Sequence, residues 1–103
     1  MVLARQEIGE VLRDVRLRKG HTLRQVAGRA SVALGYLSEV ERGQKEASSE
    51  ILASVAEALE TPLSTIYREV GDRLAVHERF DTSIPDTVPD DLLLGMRKPL
   101  VTR

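Results

Sequence analysis

The 103-residue chain contains no cysteine and no tryptophan, one phenylalanine and two tyrosines. Without cysteine, disulfides, thiolate metal sites and thiol nucleophiles are excluded, and the composition suits a reducing cytosol. Aromatic residues make up only 3% of the chain against 42% hydrophobic residues. The core must therefore be built from Leu, Val, Ile and Ala, as in compact helical domains. There are two histidines, no glycine-rich phosphate loop and no H-E-x-x-H pattern, which argues against an enzyme. No apolar run approaches the roughly 20 residues of a membrane helix. The opening Met-Val-Leu-Ala-Arg lacks the layout of a signal peptide. The length favours one domain with a short appendage.

Net charge is −1, which speaks against a polyanionic partner until its distribution is considered. Residues 1–45 carry nine Lys/Arg against five Asp/Glu, whereas residues 46–103 carry six against eleven. A chain polarised in this way can face a polyanion with its N-terminal half and repel it with the other.

The hydrophobic spacing predicts five helices and no strands. Ile8, Val11, Leu12 and Val15 mark one face of a first helix over about Arg5 to Lys19, stopped by Gly20. Thr22 and Gln25 form a capping box that opens a second helix, with Leu23, Val26, Ala27 and Ala30 inward. A third runs from about Leu34 to Arg42, with Leu37 and Val40 inward and Gly43 at its end. Ser49 is expected to cap a fourth, with Ile51, Leu52, Val55 and Leu59 on its core face. Thr61 reads as the next N-cap, followed by Pro62 at the first helical position. The fifth helix carries Leu63, Ile66, Tyr67, Val70 and Leu74 on one side and can extend to about Arg79. From Asp81 onward Pro85, Pro89 and Pro99 indicate an extended, flexible tail. It is interrupted at 90–94 by Asp-Asp-Leu-Leu-Leu, which is either one helical turn or an apolar patch that docks elsewhere.

Function concentrates in residues 22–43, TLRQVAGRASVALGYLSEVERG. Two short helices joined by a three- or four-residue turn make a helix-turn-helix. Val26 anchors the first helix, Ala27 is small enough for the second to cross above it, Val32 fills the space beneath the turn, and Leu37 and Val40 seat the second helix. The turn position that usually holds glycine is Ser31. This departure predicts a slightly strained or altered turn within the same fold.

The segment resembles the helix-turn-helix of the Cro/C1-type (XRE) family of bacterial transcription regulators. The Glu41-Arg42-Gly43 ending and Thr61-Pro62-Leu63 are similar to the same family, and the likeness covers about residues 5–70. The strings IGEVLRDVRLRKGHTLR and GYLSEVERGQKEASSE resemble a narrower group, the actinobacterial Clp gene regulators. The resemblance implies an all-α, five-helix, lambda-repressor-like DNA-binding domain at 1–70. It implies a helical dimerisation extension at 71–80 and leaves 81–103 as a tail. It also implies a bacterial cytosolic location, double-stranded DNA with a palindromic operator as partner, a second copy of the chain, and no cofactor or metal. In the narrower group the protein is a homodimeric activator of Clp protease and proteostasis genes, and activation requires a contact with RNA polymerase. Clp proteolysis of such regulators often reads a C-terminal tag, and the ending Leu-Val-Thr-Arg lacks a small apolar pair.

By this resemblance the third helix enters the major groove and exposes Ala33, Leu34, Gly35, Tyr36, Ser38 and Glu39 to base edges. Arg, Asn and Gln, the strongest readers, are missing there. Glu39 suits cytosine N4, Ala33 and Leu34 suit a thymine methyl, and Tyr36 suits a phosphate or base edge. The bland alternatives are a Glu39 ion pair with Arg42 or Lys45, and packing of Leu34 against Val32. Arg24, Gln25, Arg42, Gln44 and Lys45 are the expected phosphate contacts, for several of which the alternative is a solvated face. Arg16 and Glu41 are expected to form a structural ion pair that orients the third helix. A single helix-turn-helix reads too few base pairs, so dimerisation is expected through Ile66, Tyr67, Val70, Leu74 and Phe80. Their alternative role is completion of the monomer core. A repressor or antitoxin of the same fold, and a helical interaction module without DNA binding, are the competing functions. His21 and His77 have no second ligand at metal spacing.

Overall fold

The computed structural model describes residues 2–82, with side chains through Arg79. Five helices follow in order: α1 Ala4–Arg18, α2 Leu23–Ala30, α3 Leu34–Glu41, α4 Ser49–Ala58 and α5 Leu63–Thr82. No strand occurs among the described residues. The tail expected at 83–103, its Asp-Asp-Leu-Leu-Leu cluster and the Phe80 side chain lie outside the described residues.

One core joins all five helices. Val11, Leu12 and Val15 of α1 meet Val26, Ala27 and Ala30 of α2, Leu37 and Val40 of α3, Leu52, Val55 and Ala56 of α4, and Ile66 and Val70 of α5. These are aliphatic side chains at helical spacing, and their removal from water supplies the main favourable term in folding. Leu59, fully buried, closes the end of α4.

The capping chemistry is partly as expected. Thr22 Oγ1 accepts from Gln25 N at 3.0 Å, and Gln25 Oε1 accepts from Thr22 N at 2.8 Å. The fourth helix is capped one residue earlier than its sequence implied: Ser48, not Ser49, accepts from Ile51 N at 3.2 Å. Thr61 does not cap α5 either. Its hydroxyl donates to the Leu59 carbonyl at 3.1 Å, and the Pro62 carbonyl accepts from Thr65 N and Ile66 N. Proline thus sits just before the helix, a shift of one residue that its fixed φ and missing N–H both permit.

The turn between α2 and α3 also differs from expectation. Ser31 adopts φ 59°, ψ 42°, the left-handed conformation that glycine favours, and Val32 N bonds back to the Ala27 carbonyl at 3.0 Å. The turn geometry is therefore unaltered, and the cost of the serine is a local backbone strain of about 1 kcal/mol.

The helix expected to serve only dimerisation does two jobs. α5 runs antiparallel to α1, and a ladder of polar contacts joins them. Arg18 Nη2 lies 3.4 Å from Glu69, Arg73 Nη2 lies 2.6 Å from Asp14, and His77 Nε2 lies 3.2 Å from Glu7. Ile66 is 1% exposed and Val70 5%. Both belong to the monomer core and offer a partner nothing, which corrects their assignment to a dimer surface. Tyr67, at 44% exposed, faces outward, and Leu74 is half-buried.

Candidate nucleic-acid interface

Residues Gly35, Ser38, Glu39 and Arg42 recur at i, i+3, i+4 and i+7, so they share one stripe of α3 and its C-cap. The opposite stripe holds Leu37 and Val40, which are buried. The first stripe is therefore the outward face. A side chain added at Gly35 would meet no protein atom within 4 Å, so the helix backbone there is open to an approaching ligand. Ala33 is the exposed N-cap and supplies no side-chain acceptor. Leu34 is half-buried against the core cluster, so part of its surface is committed to packing.

Glu39 makes no ion pair with Arg42 or Lys45 among the described residues. Arg42 instead donates to Ser38 Oγ within its own helix and, at 3.3 Å, to Gln44 Oε1. Ser38, Arg42 and Gln44 thus form one exposed polar group beside a half-buried, unpaired carboxylate. Gln44 N is fixed by the Glu39 carbonyl at 2.8 Å. Arg24 and Lys45 are exposed and make no ion pair among the described residues. Gln25 commits its amide oxygen to the cap of α2, which leaves its NH2 group to donate elsewhere.

Tyr36 has a different task from the one its sequence position implied. Its hydroxyl donates to the Glu46 carbonyl at 3.0 Å. A phenol has one proton to give, so Tyr36 braces the loop after α3 rather than donating to a phosphate or base.

The orientation of α3 is set by α1 as well as by α2. Arg16 Nε donates to Glu41 Oε2 at 2.8 Å and Nη2 donates to Oε1 at 3.0 Å, the paired geometry of a planar guanidinium on a carboxylate. Arg16 Nη1 also donates to the His21 carbonyl at 3.1 Å. Arg5 Nε holds the Gly43 carbonyl at 3.0 Å. Gly43 has φ +75°, which explains a glycine at the end of this helix.

Three structural residues escaped the sequence reading. A Cβ on Gly9 would lie 2.4 Å from the Val40 carbonyl oxygen and 2.6 Å from that of Glu41. The backbones of α1 and α3 therefore meet there. A glycine inside an apolar helical pattern is a legible signal of such an approach. Glu7 is a buried carboxylate whose partner, His77, lies 70 positions away, a pairing no local pattern shows. Arg73 collects Asp14, Glu69 and, at 3.6 Å, Glu10. Its hydrogen bond to Asp14 holds the guanidinium pKa above its ordinary value, against the opposing effect of desolvation. No cluster of His, Asp and Glu among the described residues can hold a metal ion. No described helix is long and apolar enough to cross a membrane.

Comparison with known proteins agrees with this geometry. A helix-turn-helix domain family matches residues 7–66. The chain is 48% identical over 83 residues to the transcriptional regulator ClgR of Mycobacterium tuberculosis, covering 81% of this chain and 74% of the relative. The crystal structure of the clp gene regulator ClgR from Corynebacterium glutamicum superposes with a TM-score of 0.73 at 36% identity, covering 96% of this chain and 98% of that one. The restriction-modification controller protein C.AhdI from Aeromonas hydrophila gives a TM-score of 0.57 at 29% identity, covering 64% and 94%.

Proposed function

The chain belongs to the helix-turn-helix transcriptional regulators related to ClgR, and from that premise we propose that it is a homodimeric activator of Clp protease genes acting on a palindromic operator. Its relatives are DNA-binding regulators rather than enzymes, and double-stranded DNA is its partner. The observation that carries the site is the outward stripe of α3: an open backbone at Gly35, then Ser38, an unpaired Glu39, and Arg42. A carboxylate kept free of ion pairs on such a face is suited to accept from cytosine N4. Ala33 and the free part of Leu34 suit thymine methyls. Arg24, Gln25, Arg42, Gln44 and Lys45 flank this stripe as phosphate contacts, which position the helix and supply most of the affinity.

Dimerisation is assigned to the exposed side of α5. Tyr67, Gly71, Leu74 and Ala75 recur at i, i+4, i+7 and i+8, and a side chain at Gly71 would meet nothing within the monomer. A second α5 can approach closely along this line. Two recognition helices are then spaced for half-sites about 34 Å apart, one turn of DNA. Activation adds a contact with RNA polymerase.

The test is fluorescence anisotropy on a palindromic duplex of about 30 base pairs from a clp promoter beside a scrambled one, across roughly 50 to 200 mM salt. Salt-steep binding that prefers the promoter is expected. Lys45→Ala should lower the salt slope by about one without changing base preference, and Glu39→Gln should lose about tenfold at the cytosine position. Gly71→Arg should leave the fold intact and yield a monomer in sedimentation. No binding of either duplex at low salt overturns the reading.

A further inference from the structure

A groove of about 230 Å³ runs between the start of α1, the loop after α3 and the start of α5. Ile8, Val40 and Leu52 floor it, and Arg5, Lys45 and Tyr67 stand at its rim. At about 30 Å³ per liquid water, this is room for bulky apolar side chains rather than for a single ion. Its chemistry is an apolar floor under two cations, with Glu46 as its acidic lining residue.

We propose that this groove seats the chain's own segment Asp90–Leu94, with the leucines on the apolar floor and the two aspartates facing Arg5 and Lys45. The segment is the complement of the groove in both respects: two adjacent carboxylates followed by the chain's one run of three leucines. The fold also brings it near. Because α5 runs antiparallel to α1, with His77 against Glu7, the helix delivers the following chain to the end of α1 that carries Arg5 and Ile8. The residues from 83 to 89 span about 25 Å when extended, whereas α5 rises only about 8 Å beyond His77. The segment can therefore return to the groove. Docking covers Lys45 and lowers affinity for DNA; this consequence rests on Lys45 being a phosphate contact, as proposed above.

The test uses the full chain, whose lack of cysteine makes Gly95→Cys a unique site for a nitroxide label. The amide signals of Arg5, Ile8, Ala47 and Leu52 should broaden selectively, and Leu92→Ser with Leu93→Ser should abolish the effect. Broadening spread evenly over the surface, or none, overturns the proposal. Broadening seen only when labelled chains are mixed with unlabelled, isotope-enriched ones assigns the groove to a second copy and overturns it equally. The two serine substitutions should also tighten binding to duplex DNA by up to about tenfold, the factor by which a groove occupied about nine-tenths of the time masks Lys45. Selective broadening with unchanged DNA affinity leaves the segment seated and overturns the masking, which separates this inference from the DNA reading.

Discussion

The first helix has two seams, and they are built on opposite principles. Toward α3 it offers no clearance and no water. Gly9 brings the two backbones together, and Arg16 meets Glu41 in a paired geometry with side chains 11% and 7% exposed. Toward α5 it offers a looser ladder, in which Arg73 serves Glu10, Asp14 and Glu69 from a more open position, and Arg18 reaches Glu69 from near-full exposure. A buried ion pair contributes little net stability once its desolvation is counted, but it tolerates few alternative arrangements. Exposed pairs are worth little and permit many. The α3 seam therefore fixes an angle, that of the helix aimed at DNA. The α5 seam holds a long helix in place along its whole length through several weak contacts and the apolar side chains Ile66 and Val70.

The sharpest way to break this contrast is Gly9→Ala. One methyl would lie within 2.6 Å of two carbonyl oxygens of α3, and backbone atoms cannot step aside as a flexible side chain can. A loss of about 3 kcal/mol or more is expected in urea unfolding. Gly71→Ala, at a glycine with nothing around it, should be neutral or slightly stabilising. Equal effects at the two glycines would remove the distinction between the seams.

Next in size is Arg16 with Glu41. Losing either partner alone leaves a buried charge unpaired and should cost about 3 kcal/mol. Replacing both, as Arg16→Met with Glu41→Leu, should cost less than either single change. A double-mutant cycle by thermal unfolding measures this coupling. DNA affinity should nevertheless fall in the double variant, because the pair's role is orientation. If the double variant binds DNA as well as the parent, the angle of α3 is set by α2 alone.

The α3 seam was half legible in the sequence and the α5 seam hardly at all. Apolar spacing gave every helix to within a few residues, because each buries one stripe of aliphatic side chains against one core. The likeness to a known helix-turn-helix pointed to Arg16 and Glu41. Spacing alone could not tell that Ile66 and Val70 face inward while Tyr67 faces out, since all sit near one apolar side of α5 and only the angle against α1 divides them. Tyr36 was misread for a similar reason. Its hydroxyl answers to a loop carbonyl ten residues on, and nothing in the α3 pattern marks that carbonyl. Glu7 with His77 depends on how far α5 continues, which is a property of the tertiary fold.

At the α5 seam, Arg73→Met removes three weak contacts at once, yet the expected loss is only about 1 kcal/mol, or roughly 4–8 °C in Tm. The loss should shrink in high salt, which screens exposed pairs. The raised guanidinium pKa does not make this seam a pH switch. Such a group stabilises the fold below its unfolded pKa and ceases to do so only as pH rises through the folded one, and for arginine both lie far above neutrality.

The smallest effect should come from Ser31→Gly, and it sharpens the comparison from a third side. Ser31 holds φ 59° in the turn that joins α2 to α3. Glycine there relieves the left-handed strain but adds freedom to the unfolded chain, so a net gain of about 0.5 kcal/mol is expected in thermal unfolding. The turn is the one covalent hinge through which α3 could swing. If the α1 seam sets the angle of α3, relaxing the hinge should leave DNA affinity unchanged while stability rises. A drop in affinity with a more stable fold would mean instead that the turn, and not Arg16 with Glu41 and Gly9, aims the recognition helix.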